Sequence, residues 1–242
     1  MKSLCISVLL VLAVFQSCKK PGCFETAGAV TVVERNVDPF HRIDLFDNIN
    51  LVLTQDTTEW MKIEAGQNLQ PNISAETSNG ILTVKNTTTC NWLRNPNEKI
   101  NVYLGIKKLD YINYSGSGNI TSTNTIVADN ITFYSEEGAG NIDINLDAKE
   151  TSANIVYENA DFTFRGKSDV CYAYTNARGS INFENFEVKH MNIGYASVRD
   201  ATIHVTEVLE SLVYHTGNLY YKGNPGYVST HSYSSGKIIH LP

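Results

Sequence analysis

Gly116-Ser117-Gly118-Asn119-Ile120 and Gly138-Ala139-Gly140-Asn141-Ile142 differ at one position and stand 22 residues apart. The pattern continues to the C-terminus. Asp161, Ser180, Thr202, Asn218 and Lys237 take the place of the asparagine, at intervals of 16 to 22 residues. A small residue precedes each anchor: Gly118, Gly140, Ala160, Gly179, Ala201, Gly217 and Gly236. A large apolar residue follows each: Ile120, Ile142, Phe162, Ile181, Ile203, Leu219 and Ile238. Then comes a mostly polar position and a mostly apolar one. Such a unit reads as a turn leading into a strand with one buried face.

A period near 20 with one short strand at fixed phase points to stacked coils, since a single coil cannot bury its inner face alone. The expected fold is all-β, a right-handed parallel β-helix-like solenoid of about 20-residue coils. Seven coils at the strand spacing of about 4.8 Å give a rod of roughly 34 Å. A leucine-rich repeat has a similar period, but its leucine pattern and helical segment are absent. An antiparallel sandwich, whose turns also recur regularly, is the alternative. In a stack, Ile142, Phe162, Ile181 and Ile203 point inward in successive coils. The small residues line one corner. Ala160 and Ala201 show that close approach matters there at least as much as positive φ, so Ala is expected to be tolerated moderately at position 140 and Val to be severe through crowding against both neighbouring coils.

Residues 1–17 read as a signal peptide. Lys2 is followed by an apolar core from Leu4 to Phe15, too short to span a bilayer. Phe15-Gln16-Ser17 fits ordinary cleavage poorly, and Cys18 comes next. The segment resembles a bacterial lipoprotein signal, in which Cys18 becomes the lipidated first residue, although Phe15 departs from the usual Leu. Several acyl chains on one residue suit stable anchoring. Residues 18–27, including Lys19-Lys20-Pro21-Gly22, then form a lipid-anchored tether, and 28–242 read as one domain. The formal charge of −6, without basic runs, argues against a nucleic-acid partner.

Of five cysteines, Cys5 leaves with the signal and Cys18 carries lipid. Cys23 and Cys90 lie in polar, turn-like surroundings and are the candidate disulfide of an oxidising compartment; connectivity stays open. Cys171, inside Val170-Cys171-Tyr172-Ala173-Tyr174, reads as a buried free thiol.

The N-terminal third is less regular. Ile49 to Leu53 and Met61 to Ile63 flank Asp56-Thr57-Thr58-Glu59, which reads as a hairpin. Asn79-Gly80 before Ile81 is a strong tight-turn signal. Gly28 to Val32 and Gly80 to Val84 also fit the coil rule, so this third is either early coils or a hairpin cap. A cap is physically needed, because open strand edges invite aggregation.

The run from Phe40-His41-Arg42-Ile43 through Leu51-Val52-Leu53-Thr54-Gln55, Gly80-Ile81-Leu82-Thr83-Val84, Ile100-Asn101-Val102 and Leu109 into Gly116-Ser117-Gly118-Asn119-Ile120 resembles the head GIN domain family. These are auto-transporter-adhesin-type proteins, frequent among Bacteroidetes lipoproteins. The resemblance implies a β-helix-like domain on an exported, outer-membrane-anchored envelope protein. It supplies no catalytic residues.

Seven tyrosines recur once per coil: Tyr114, Tyr134, Tyr157, Tyr174, Tyr195, Tyr214 and Tyr233. Residues two earlier are mostly apolar, which favours a stacked ladder inside the rod. On the other reading they form a platform for sugar rings, with Tyr134, Tyr174, Tyr214 and Tyr233 as the ligand-binding candidates. The partner would be a glycan or an envelope or host surface protein. Rod-shaped β-helices also cleave pectin, but that chemistry needs carboxylates converging on one surface. Only Asp143 is acidic at the outward phase. The histidines share no coil phase and lack zinc spacing. No catalytic residue, metal or cofactor is expected. A non-catalytic, adhesin-like binding module leads, with a polysaccharide-acting enzyme or a purely structural envelope protein as the alternatives.

Overall fold

The computed structural model describes residues 26–88, 99–157 and 159–242. Cys18, Cys23 and Cys90 lie outside the described residues, and so do the anchor and the candidate disulfide. The only helical element among the described residues is a 3-10 turn, Gln70–Asn72, so the all-β expectation holds.

The cap region carries β1 (Val30–Arg35), β2 (Arg42–Asp47), β3 (Ile49–Gln55), β4 (Trp60–Gly66), β5 (Ile73–Ser78), β6 (Ile81–Asn86) and β7 (Ile100–Ile106). Then follow β8 (Tyr111–Gly116), β9 (Ile120–Ser122), β10 (Ile126–Ser135), β11 (Asn141–Val156), β12 (Asp161–Ala177) and β13 (Ile181–Ser197). The chain ends with β14 (Ala201–Val213), β15 (Leu219–Lys222), β16 (Tyr227–Ser232) and β17 (Ile238–His240).

From β8 onward every pairing is parallel, coil upon coil, in a solenoid of about six turns. Along β11 to β13 inward and outward residues alternate. The alternation resets where two outward residues follow one another, as at Lys149-Glu150 and Lys189-His190. Those resets are corners.

The opening repeat makes one of these corners, and its side chains explain the anchors. The Asn119 N–H donates to the side-chain oxygen of Asn50, and the Asn141 N–H donates to that of Asn119. The same link runs from Ser180 N–H to Asp161, from Asn218 N–H to Asp200, and from Lys237 N–H to Asn218. Asn50, Asn119, Asp161, Asp200 and Asn218 thus each satisfy a backbone donor of the next coil at a turn, whereas the Asp161 N–H donates to the Gly140 carbonyl.

This ladder corrects one repeat. Asp200, not Thr202, is the anchor of its coil, and Arg199, not Ala201, takes the corner position. Ile142, Phe162 and Ile181 stand in register, but Ile203 pairs with Phe183. The reason is the coil length: Asn182 and Phe183 pair with Thr202 and Ile203 at an offset of 20 residues, so Ile203 falls two residues beyond the place opposite Ile181, and the unpaired residues 184–186 follow that pair. A two-residue slip keeps the same face inward, so all four side chains remain buried.

The N-terminal third is both coil and cap, in an order that the sequence spacing hid. β2 and β3 make a coil that lies between β6–β7 on one side and β8–β9 on the other. The expected hairpin of residues 49–63 is absent, because β7 inserts between β3 and β4. Gly28 to Val32 enters no coil. β1 runs antiparallel to β4, and β4 antiparallel to β7. The Asn79-Gly80 turn is present, with both residues at positive φ, and closes the β5–β6 hairpin.

Two of the seven tyrosines face the interior. Tyr114 and Tyr195 are fully buried. Each donates its hydroxyl to the carbonyl four residues on, at Gly118 and Arg199. Tyr114 also accepts from the Gly140 N–H at 2.9 Å, tying two coils together. Burial pushes both phenols up to about 12. The fold therefore holds the neutral form more firmly than the unfolded chain does, whose phenols titrate near 10. Their contribution is whole below about pH 10 and is lost as pH rises toward about 12, roughly 2–3 kcal/mol for each tyrosine. Alkaline unfolding monitored by circular dichroism is expected to fall in that window. In Tyr114→Phe and Tyr195→Phe the stability loss across the window should shrink; an unchanged profile would refute the assignment.

Candidate ligand-binding face

The other tyrosines follow from strict pairing. Tyr114 pairs with Ser135, so Tyr134 falls one residue short and points outward. Tyr134 pairs with Asn154, which pairs with Tyr174, Gly194 and Leu212 in turn. Tyr214 lies one residue beyond Val213, the partner of Tyr195, and so faces out as well. Tyr157 sits at a corner, exposed, with φ at 75°. The stripe is thus not a single internal ladder. Tyr134 is half-buried on the outer surface, and Tyr174, Tyr214 and Tyr233 are 39%, 44% and 64% exposed.

These rings share one face. Tyr214 and Tyr233 stack with centroids 5.2 Å apart and planes 4° from parallel. His231 meets Tyr233 edge-on at 4.4 Å. Tyr172, exposed on the neighbouring column, precedes Asn192 and Glu210 in the pairing order. The Asn192 amide donates to the Glu210 carboxylate at 2.9 Å. In the column Gly194 lies between Tyr174 and Leu212, with the Tyr214 ring leaning toward it from two residues beyond Leu212, and a hollow of about 520 Å³ opens there. Tyr172, Asn192, Gly194 and Glu210 escaped the sequence reading. The glycine inside a strand was the available signal, because such glycines mark close approach of a ligand or backbone.

A second outer face carries charge. Asp129, Lys149, Asp169 and Lys189 follow one another at 20-residue spacing, a regularity legible in the sequence. Lys149 pairs with Asp129 at 2.5 Å, Lys189 with Asp169 at 2.6 Å, and Lys167 with Asp147 at 3.3 Å. Hydrogen bonds from Lys149 and Lys189 hold the Asp129 and Asp169 carboxyls below their ordinary range. A glycosidase acid needs the opposite, a carboxyl kept protonated near neutrality. Asp143 is likewise engaged, with Arg165. Among the described residues no three metal-ligating side chains converge, and no helix is long and apolar enough to cross a membrane. Cys171 is free and fully buried, and burial pushes its thiol up, away from the reactive thiolate.

A family model described as "Putative auto-transporter adhesin, head GIN domain" matches residues 39–225, coil and cap together. The chain belongs to the head GIN domain family. No curated protein sequence matches it. Crystal structures share its fold. A "putative adhesin" from Bacteroides fragilis is 20% identical, with a TM-score of 0.80 over 88% of this chain and 97% of that one. A "putative adhesin" from Parabacteroides distasonis is 18% identical, with a TM-score of 0.69 over 88% and 98%. A "putative lipid binding protein" from the same species is 16% identical, with a TM-score of 0.67 over 89% and 98%. At these identities the likeness speaks for the head GIN fold.

Proposed function

We propose that this head GIN protein is an exported, lipid-anchored envelope protein that works as a non-catalytic, adhesin-like binding module. The observation that carries the reading is the grouping of exposed Tyr172, Tyr174, Tyr214 and Tyr233 on one face of a stiff rod. Exposed aromatic surface gathered in one patch marks interaction rather than packing. The family description and the adhesin names of its structural relatives agree with such a role. Cys18 fixes the chain to the outer membrane, and the rod carries its tyrosine face away from the lipid. A glycan on a facing surface is the partner this chemistry suits best.

The anchor and the adhesion are tested separately. Cys18→Ser is expected to move the protein from the membrane fraction to the soluble one and to abolish acyl labelling; labelled Cys18→Ser protein in membranes would overturn the anchor. Immobilised protein is expected to retain glycan-bearing surfaces without releasing oligosaccharide. Released product would instead favour a polysaccharide-acting enzyme.

A further inference from the structure

The two ends of the rod are finished differently. At the N-terminal end the antiparallel strands β4, β1 and β5 cover the first coil, and the outermost two carry Glu34, Arg35 and Glu76. At the C-terminal end β16 pairs with β14 alone, and β17 rests on β15, so the outer edge of β16 is bare. Val228 stands in the inward column of Leu209, yet it is 43% exposed where Leu209 is 0%. Thr230 follows the buried Ser211 and is exposed as well. The Tyr233 N–H donates back to the Val213 carbonyl at 2.8 Å. Backbone groups of a strand point alternately to its two edges, so those of Tyr227, Ser229 and His231 share that direction. The N–H and C=O of Val228, Thr230 and Ser232 then point off the end of the rod. Edges of this kind are ordinarily guarded by lysine, proline or a bulge. Tyr227-Val228-Ser229-Thr230-His231-Ser232-Tyr233 holds no Lys, Pro, Arg, Asp or Glu, and β16 pairs without a register break.

We propose that the β16 edge docks a second copy of this chain, the two β16 strands pairing antiparallel about a two-fold axis at Thr230. The proposal goes beyond the adhesin reading and concerns the end of the rod. A two-fold contact brings a strand against itself, so it must be self-complementary. This strand has no acid, lysine or arginine to meet its like. With Thr230 opposite its own copy, Val228 stands opposite Ser232 of the partner subunit. These are the positions whose backbone groups are free, and they fall at the hydrogen-bonded places of an antiparallel pair, so about six bonds close. At the places between, side chains approach more closely. There Ser229 meets the partner's His231, and Tyr227 meets the partner's Tyr233, two rings that are 55% and 64% exposed in the single rod. A shift of one residue would set core-side positions against outward ones, and a shift of two would leave free backbone groups unbonded. With the lipid anchor proposed at the other end of the rod, β16 stands at the tip, and the pairing joins rods that rise from facing surfaces.

The test is sedimentation equilibrium of the whole chain carrying Cys18→Ser, over rising protein concentration. A reversible dimer is expected. Thr230→Pro removes an N–H that the fold does not use, so the circular dichroism spectrum should hold while the dimer weakens tenfold or more. Thr230→Cys places two thiols at the Cα separation of about 5.5 Å of a hydrogen-bonded pair, and air oxidation should yield a disulfide-linked dimer that the parent chain does not give. Ser229→Cys lies out of register with its own copy and should not link. Should Thr230→Pro misfold, the two cysteine variants still decide the register. A monomer at every concentration would overturn the proposal. So would a dimer that survives Thr230→Pro, or one that Ser229→Cys links in place of Thr230→Cys. A chain that stays monomeric while its edge binds an unrelated Val- and Thr-rich peptide would assign β16 to another protein and overturn the second copy.

Discussion

Phe164→Ala is expected to destabilise the protein by about 3–5 kcal/mol, the range for truncating a fully buried phenylalanine. Position 164 is the meeting point of the core. Its ring lies 4.6 Å from Phe133, 5.8 Å from Phe162, 4.7 Å from Phe183 and 5.7 Å from Phe186. These partners come from three strands, β10, β12 and β13, so a cavity at 164 loosens neighbouring coils together. Phe164 pairs with Ile144 on one side, and on the other a register shift in β12–β13 brings both Phe183 and Phe186 against its ring, which leaves little room for the surroundings to collapse into the void. The unfolding midpoint should fall by roughly 6–20 °C, given a few degrees per kcal/mol for a domain of this size. Thr163→Ala, one residue away and outward-facing, should change it little. Equal small losses for both would show that the aromatic stack is not the centre of the fold.

Gly140→Val is expected to be at least as damaging, by crowding instead of by a void. The φ of Gly140 lies outside the left-handed region, so its objection to a side chain is purely steric. A Cβ there would stand 2.2 Å from the Gly118 carbonyl oxygen and 2.4 Å from the Tyr114 hydroxyl. The same column continues downstream: Gly179 lies against the carbonyl of Ala160, and Gly217 against that of Arg199. The sequence expectation that Ala is tolerated moderately at 140 now has a physical cause. Ala must displace the Tyr114 hydroxyl and its bond from the Gly140 N–H, at about 2–3 kcal/mol, toward the upper end of ordinary overpacking. Val should exceed about 4 kcal/mol or prevent folding, a size that requires a specific cause such as this corner. Ala160 shows what accommodation looks like. It sits next in the column, and there the Asp161 N–H reaches the Gly140 carbonyl at 3.2 Å. Chemical denaturation of both variants is the measurement. If Ala and Val are both mild, the stacked corner is wrong.

The sequence by itself determined the class of fold, the coil period, the corner and the inward phase. Those follow from local chemistry: a small residue, a hydrogen-bonding anchor and alternating apolar residues recur wherever the same turn is built. It also located the Asn79-Gly80 turn and the buried thiol at Cys171, because both depend on near neighbours. The tertiary structure decided which coil lies beside which. β2–β3 sits between strands far away in sequence, and no local pattern encodes that insertion. It also decided the faces of the tyrosines. Their spacings differ from the coil offset by a single residue in places, and one residue turns a strand side chain from core to solvent. Tyr114 and Tyr195 thus became corner bolts inside, while the Tyr174 and Tyr214 rings came to lie close over Gly194 outside. The hollow at Gly194 exists only because residues 174, 194 and 214, from three successive coils, converge there. Such convergence is a property of stacking, and stacking is set by the packed core rather than by any one coil.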